Sequence, residues 1–148
     1  MGMKPDRKKT EEKAKVRAAI LDATETILRE EGYAAVSSRR VAEKAGLKSK
    51  LVHYYFATMD DLFAAVFERS GEEFLQRHMH ALTSENPLQA LWELSIHPKR
   101  TALALEMIAL SNHRKAIRKQ IAHWLEKMHD AEIAAITKYM DALGLDKD

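Results

Sequence analysis

Residues 37–56, SSRRVAEKAGLKSKLVHYYF, decide the fold. They read as two short helices joined by a sharp turn at Ala45-Gly46-Leu47. Ser37 or Ser38 is placed to cap the first helix, because a short hydroxyl accepts from the free N–H groups of an opening turn. Arg39–Ala45 then turns Val41, Ala42 and Ala45 to one side, and the small Ala42 lets a second helix come close. Gly46 can take a positive φ without a Cβ clash. Leu47 plugs the inner angle. Ser49 is expected to cap the second helix, which runs to about Tyr55 with Val52 and Phe56 facing inward. Lys48, Ser49, Lys50, His53 and Tyr54 are left facing outward. Seven or eight residues make a rod of roughly 11–12 Å, and a major groove is about 12 Å wide. Short donors, cations and aromatic rings suit phosphate oxygens, base edges and thymine methyls. This is the shape of a helix-turn-helix that sets its second helix in double-stranded DNA.

Composition is consistent with that shape. The chain has 148 residues, with only five Gly and three Pro, which favours long helices over sheets. Cysteine is absent, so disulfides and thiolate metal sites are excluded, in keeping with a reducing cytoplasm. No apolar run approaches the ~18 residues of a membrane span, and no secretory signal opens the chain. Charge is unevenly placed: residues 1–56 hold 13 Lys and Arg against 8 Asp and Glu, and residues 57–148 hold 11 against 14. A basic front and an acidic back suit a protein that meets a polyanion with one end.

Upstream, residues 1–10 carry Lys4, Arg7, Lys8 and Lys9 and read either as a solvated tail or as a basic arm adding phosphate contacts. A helix is expected from Thr10, with Val16, Ala19, Ile20, Ala23, Ile27 and Leu28 as its apolar stripe. Gly32 ends it.

Downstream, Thr58 and Asp61 have capping-box spacing and open a long helix to about Ala81. Its stripe is Leu62, Phe63, Val66, Phe67, Phe74, Leu75 and Met79. Gly71 in mid-helix is either a bending point or a place of close packing, with close packing preferred. Asn86-Pro87 starts a short helix over 88–96, His97-Pro98 starts another over about 98–112, and a long helix follows from Arg114 to Leu143. The seven His are scattered, with His78 and His80 on nearly opposite helix faces, so no metal site is read. No cofactor motif, Gly-rich phosphate loop or nucleophile motif occurs, which argues against an enzyme.

The run from Ile20 to Phe67, ILDATETILREEGYAAVSSRRVAEKAGLKSKLVHYYFATMDDLFAAVF, resembles the N-terminal domain of TetR-family transcriptional regulators. The resemblance rests on the amphipathic first helix, Gly32-Tyr33, Ser37-Ser38-Arg39, Val41-Ala42, Ala45-Gly46-Leu47, the aromatic run His53-Tyr54-Tyr55-Phe56, and Asp61-Leu62. It implies an all-α fold: a three-helix DNA-binding domain over residues 1–57, then a helical ligand-binding and dimerisation domain over 58–148. It implies a homodimeric repressor on a palindromic operator, released by a small-molecule effector. By position, Ser37, Ser38 and Arg39 match residues touching the backbone and nearby bases. Lys48, Ser49, Lys50 and Leu51 match the base-reading face. His53, Tyr54 and Tyr55 match aromatic positions that hold phosphates and thymine methyls. Lys48, Lys50, His53 and Met59 depart from the commoner residues there; the two lysines either compensate for the phosphate-gripping cation lost at Met59 or shift preference toward guanine acceptors. His53 also has a plainer reading, as a capped surface histidine.

In the second domain the resemblance makes Trp92, Met107, Trp124 and Met128 candidate effector-pocket residues, against ordinary helix packing. Members usually run on for about two more helices, which form the dimer interface, so this chain is expected to be a short or truncated form. The rival function is a helical ligand-binding or interaction module that binds DNA weakly. The outward cations and aromatics of Lys48–Tyr54, which core packing does not require, favour DNA.

Overall fold

The computed structural model describes residues 5–142 and residue 144. Among these the chain forms seven α-helices and one short 3₁₀ turn: α1 Pro5–Glu31, the turn Tyr33–Ala35, α2 Ser38–Ala45, α3 Ser49–Tyr55, α4 Met59–Leu82, α5 Pro87–Ser95, α6 Pro98–His113 and α7 Lys115–Ala142. The all-α expectation holds. Two compact units divide within α4, one through Val66 and one from Phe67.

In the first unit, α1 begins earlier than the Thr10 start read from sequence. Arg7, Lys8, Lys9, Glu11, Glu12 and Lys13 are all good helix formers with no breaker among them, so the helix extends back to Pro5. From Pro5 onward these residues are helical rather than an irregular tail, with Lys8 and Lys9 exposed, while Lys4 lies outside the described residues. The inner face of α1 is Ile20, Leu21, Ala23, Thr24, Ile27 and Leu28, with Val16 and Ala19 half-buried. Thr24 is tolerated there because its hydroxyl donates to the Ile20 carbonyl at 2.8 Å.

Gly32 breaks α1 with φ 83°. Ser37, in extended conformation, caps α2 by accepting from the Arg40 N–H at 3.2 Å. Gly46 closes α2 in the left-handed conformation at φ 67°, ψ 31°. The Gly46 N–H donates to Glu43 O at 3.2 Å and the Leu47 N–H to Ala42 O at 2.8 Å. This Schellman pairing satisfies the last carbonyls and sends the chain off at the angle the motif needs. Val41, Ala42, Val52 and Phe56 join the α1 face in the core, with Leu62, Phe63 and Val66 from the first turns of α4.

The opening of α4 is a complete capping box. The Asp61 N–H donates to Thr58 Oγ1 at 3.1 Å, and Asp61 Oδ2 accepts from the Thr58 N–H at 2.9 Å and its hydroxyl at 2.8 Å.

In the second unit, α6 and α7 pack together across a break at Arg114, with Met107, Leu110, Ser111 and Ile117 buried. Arg118 reaches back to the open end of α6, donating from Nε to Ser111 O and from Nη2 to Asn112 O, both at 3.3 Å. Along α4 the buried positions include His78 and Ala81, while Met79, expected in the stripe, is 41% exposed. One residue decides that face: each step along a helix is about 100°, so Met79 cannot point inward with His78 and Ala81 both there. His78 lies against Phe74, ring centroids 4.0 Å apart, with Nε2 3.5 Å from Glu132.

Gly71 resolves between its two sequence readings. A Cβ built there would lie 2.7 Å from Trp124 Cδ2. The glycine is a notch that seats the indole of α7.

Candidate nucleic-acid interface

Local chemistry sorts the cations of the first unit into two groups. Arg40 and Lys44, one turn apart on α2, are committed to the protein. Arg40 grips Glu31 with Nη2 at 2.7 Å and Nε at 3.0 Å, and its Nη1 lies 3.2 Å from Glu43. Lys44 lies 3.2 Å from Glu30. The Arg40 hydrogen bond, partly opposed by desolvation, holds the Glu31 carboxyl below its ordinary value of 4.5. The Glu31 and Glu43 hydrogen bonds push the Arg40 guanidinium further up. These pairs tie α2 to the end of α1 and so fix the platform from which α3 projects. Sequence reading missed them, although Glu30-Glu31 facing Arg40 and Lys44 offered a signal in charge and spacing.

Arg39, Lys48 and Lys50 form the second group. They are exposed and make no ion pair among the described residues. From Lys48 to Tyr55 the chain carries no acid to neutralise them. His53 is exposed beside them, and Tyr54 stands 67% exposed. Tyr54 meets Tyr55 edge-on at 5.2 Å, and Tyr55 is half-buried, so it braces the exposed ring. Ser37 and Ser49 are exposed and Ser38 half-buried. Leu51 is 37% exposed, an apolar side chain on a polar face.

Two details differ from the sequence reading. The N-cap of α3 is Lys48, without a side-chain bond, and Ser49 is the first helical residue. The Ser49 hydroxyl is thus not used as a cap. Arg17, not singled out from sequence, places its guanidinium carbon 5.3 Å from the centre of the Phe56 ring, pinning the end of α3 to α1.

The second-unit candidates are dispersed. Trp92 is 66% exposed on α5, Met107 is core, Trp124 sits in the Gly71 notch, and Met128 is half-buried. None lines the open cleft of about 610 Å³ formed by α4, α5 and the start of α6. Among the described residues no helix is long and apolar enough to cross a membrane.

The first unit is therefore a helix-turn-helix whose second helix presents an exposed basic and aromatic face. Residues 20–66 match the family model of bacterial regulatory proteins of the tetR family. The match lies wholly within the first unit. The chain is 29% identical over 110 residues to the HTH-type transcriptional regulator PksA of Bacillus subtilis (strain 168), covering 68% of this chain and 54% of PksA. The chain thus spans about half the length of that curated relative. Among solved structures, a TetR transcription regulator from Haloarcula marismortui ATCC 43049 superposes with a TM-score of 0.73 at 26% identity, over 91% of this chain and 75% of the other. The multidrug binding protein EbrR complexed with ethidium gives a TM-score of 0.69 at 27% identity, over 81% of this chain and 75% of the other.

Proposed function

We propose that the protein is a sequence-specific DNA-binding transcriptional regulator, a ligand-responsive repressor working in the cytoplasm. Its DNA-binding head is residues 1–57 and its regulatory part residues 58–148. One observation carries the reading: Arg39, Lys48 and Lys50 make no ion pair among the described residues, with Tyr54 exposed among them. The neighbouring Arg40 and Lys44 are bound to glutamates. A solvated structural face has no reason to hold cations and rings together with no acid between them. Ser37, Ser38 and Arg39 contact the phosphate backbone and nearby bases. Lys48, Ser49, Lys50 and Leu51 read base edges, and His53, Tyr54 and Tyr55 hold phosphates and thymine methyls.

One seven-residue helix reads few bases, and two linked heads gain from effective concentration. A homodimer on a palindromic operator supplies that link. The second unit offers apolar side chains for it, exposing Leu88, Trp92, Leu105, Ile108, Leu125 and Ile136 on α5, α6 and α7. The small-molecule effector is proposed by analogy with EbrR, whose structure holds ethidium.

The test begins with duplexes selected from a random pool by the full chain. Lys50→Ala and Tyr54→Ala are expected to weaken binding with unchanged circular dichroism, since both side chains point outward. Lys50→Ala should also lower the slope of log affinity against log salt by about one. Undiminished binding by both variants, or a flat salt profile in the parent, would refute the reading face.

A further inference from the structure

We propose that the cleft bounded by α4, α5 and the start of α6 binds an organic anion, a carboxylate carried on an aliphatic body. The proposal rests on reading the second unit as a ligand-binding domain and names the ligand class. Arg77 and Arg100 both line the cleft. The Nε of each is buried with no hydrogen-bond partner among the described residues. Arg77 spends one donor on Glu73, at 3.2 Å from Nη1. Arg100 makes no ion pair among the described residues. A guanidinium donor withdrawn from water and left unmatched is costly, and an acceptor brought in by a ligand removes that cost.

The shape of the fork selects the ligand. Parallel N–H groups match the two oxygens of a carboxylate, where a single point charge would not. His80 and His97 also line the cleft and add donors. The carboxylates nearby make their contacts elsewhere than Arg100. Glu73 is paired with Arg77, and Glu93 Oε1 accepts from Gln89 Nε2 at 3.0 Å. Ala81, Ala90 and Leu94 give the cleft an aliphatic lining for the ligand's body. Its volume of about 610 Å³ lies within the range of small-molecule sites.

The experiment is isothermal titration of the full chain with decanoate, decanol and decyltrimethylammonium, all below micelle-forming concentrations. Decanoate should bind at least about tenfold more tightly than either control. Arg100→Met, which keeps an unbranched stem for packing, should lose that margin, and Arg100→Lys should recover only part of it. Circular dichroism confirms that each variant is folded. Should Arg100→Met not fold, Arg77→Met reads the same loss. Decanoate binding no tighter than decanol, a preference for the cation, or full decanoate affinity in a folded arginine-to-methionine variant would each overturn the proposal. The DNA reading fails separately. Lys50→Ala leaves decanoate binding intact, and Arg100→Met leaves duplex binding in the absence of decanoate intact.

Discussion

Gly71→Ala tests whether space or flexibility keeps glycine in the middle of α4. The added methyl would stand 2.7, 2.9 and 3.0 Å from Cδ2, Cε2 and Cε3 of Trp124. Carbon atoms in contact settle at about 3.5–4.0 Å. The indole must therefore retreat by most of an ångström, and a rigid ring cannot yield at one atom alone. Lys127 Nζ lies 5.0 Å from the centre of the Trp124 ring and adds to what that shift disturbs. Overpacking of this kind costs about 1–3 kcal/mol. Replacing glycine by alanine inside a helix returns about 1 kcal/mol. The expected net effect is a loss of about 1 kcal/mol, with a range from roughly none to 2.

Because the opposing contributions are close, the sign is best read in a cycle with Trp124→Leu. With the ring gone the methyl has room, and Gly71→Ala should then stabilise by about 1 kcal/mol. The coupling between the two sites should be about 1–3 kcal/mol. Urea unfolding of the four proteins, followed by far-UV circular dichroism, measures it. The same effect of Gly71→Ala in both backgrounds would refute the notch.

Two further outcomes are expected. At Gly46 nothing lies within 4 Å of a built Cβ, but φ is +67°, so Gly46→Ala should cost about 1–2 kcal/mol through the backbone alone. Gly46→Asn should cost less, and thermal unfolding of an alanine variant as stable as the parent would contradict this. The Glu31 carboxyl is depressed in the folded protein, chiefly by its hydrogen bond from Arg40. Its contribution is therefore present above the ordinary value of 4.5 and is lost as pH falls through the lower, folded one. The gap in Tm between the parent and Glu31→Gln should be widest near neutral pH and close under acid, and a gap that does not change with pH would refute the linkage.

Much of the helix-turn-helix was legible in the chain itself. Helix periodicity, the Ser37 cap, the Gly46 turn and the Thr58–Asp61 box are encoded within a few residues of one another, so local rules suffice to place them. The outward set on α3 followed from the same periodicity, since Val52 and Phe56 had to face in. The start of α1 was not legible because helix-forming residues run on past the Thr10 signal to Pro5. The role of Ser49 was lost by one residue, because several polar residues in a row each look like a cap.

What the tertiary structure alone decided concerns partners distant in sequence. The sequence could not show that Arg40 and Lys44 are bound to Glu31 and Glu30 while Lys48 and Lys50 make no ion pair among the described residues, since all four are cations. Nor could it choose between the two roles of Gly71 without knowing that Trp124, from α7, rests on it. Nor could it show that Trp92, Met107, Trp124 and Met128 stand apart, while Arg77 and Arg100, far apart in the chain, line one cleft. The physical reason is common to all three. Helix periodicity assigns a side chain to a face, but packing brings one face against another, and only that meeting determines which charges are matched and which are left to bind something else.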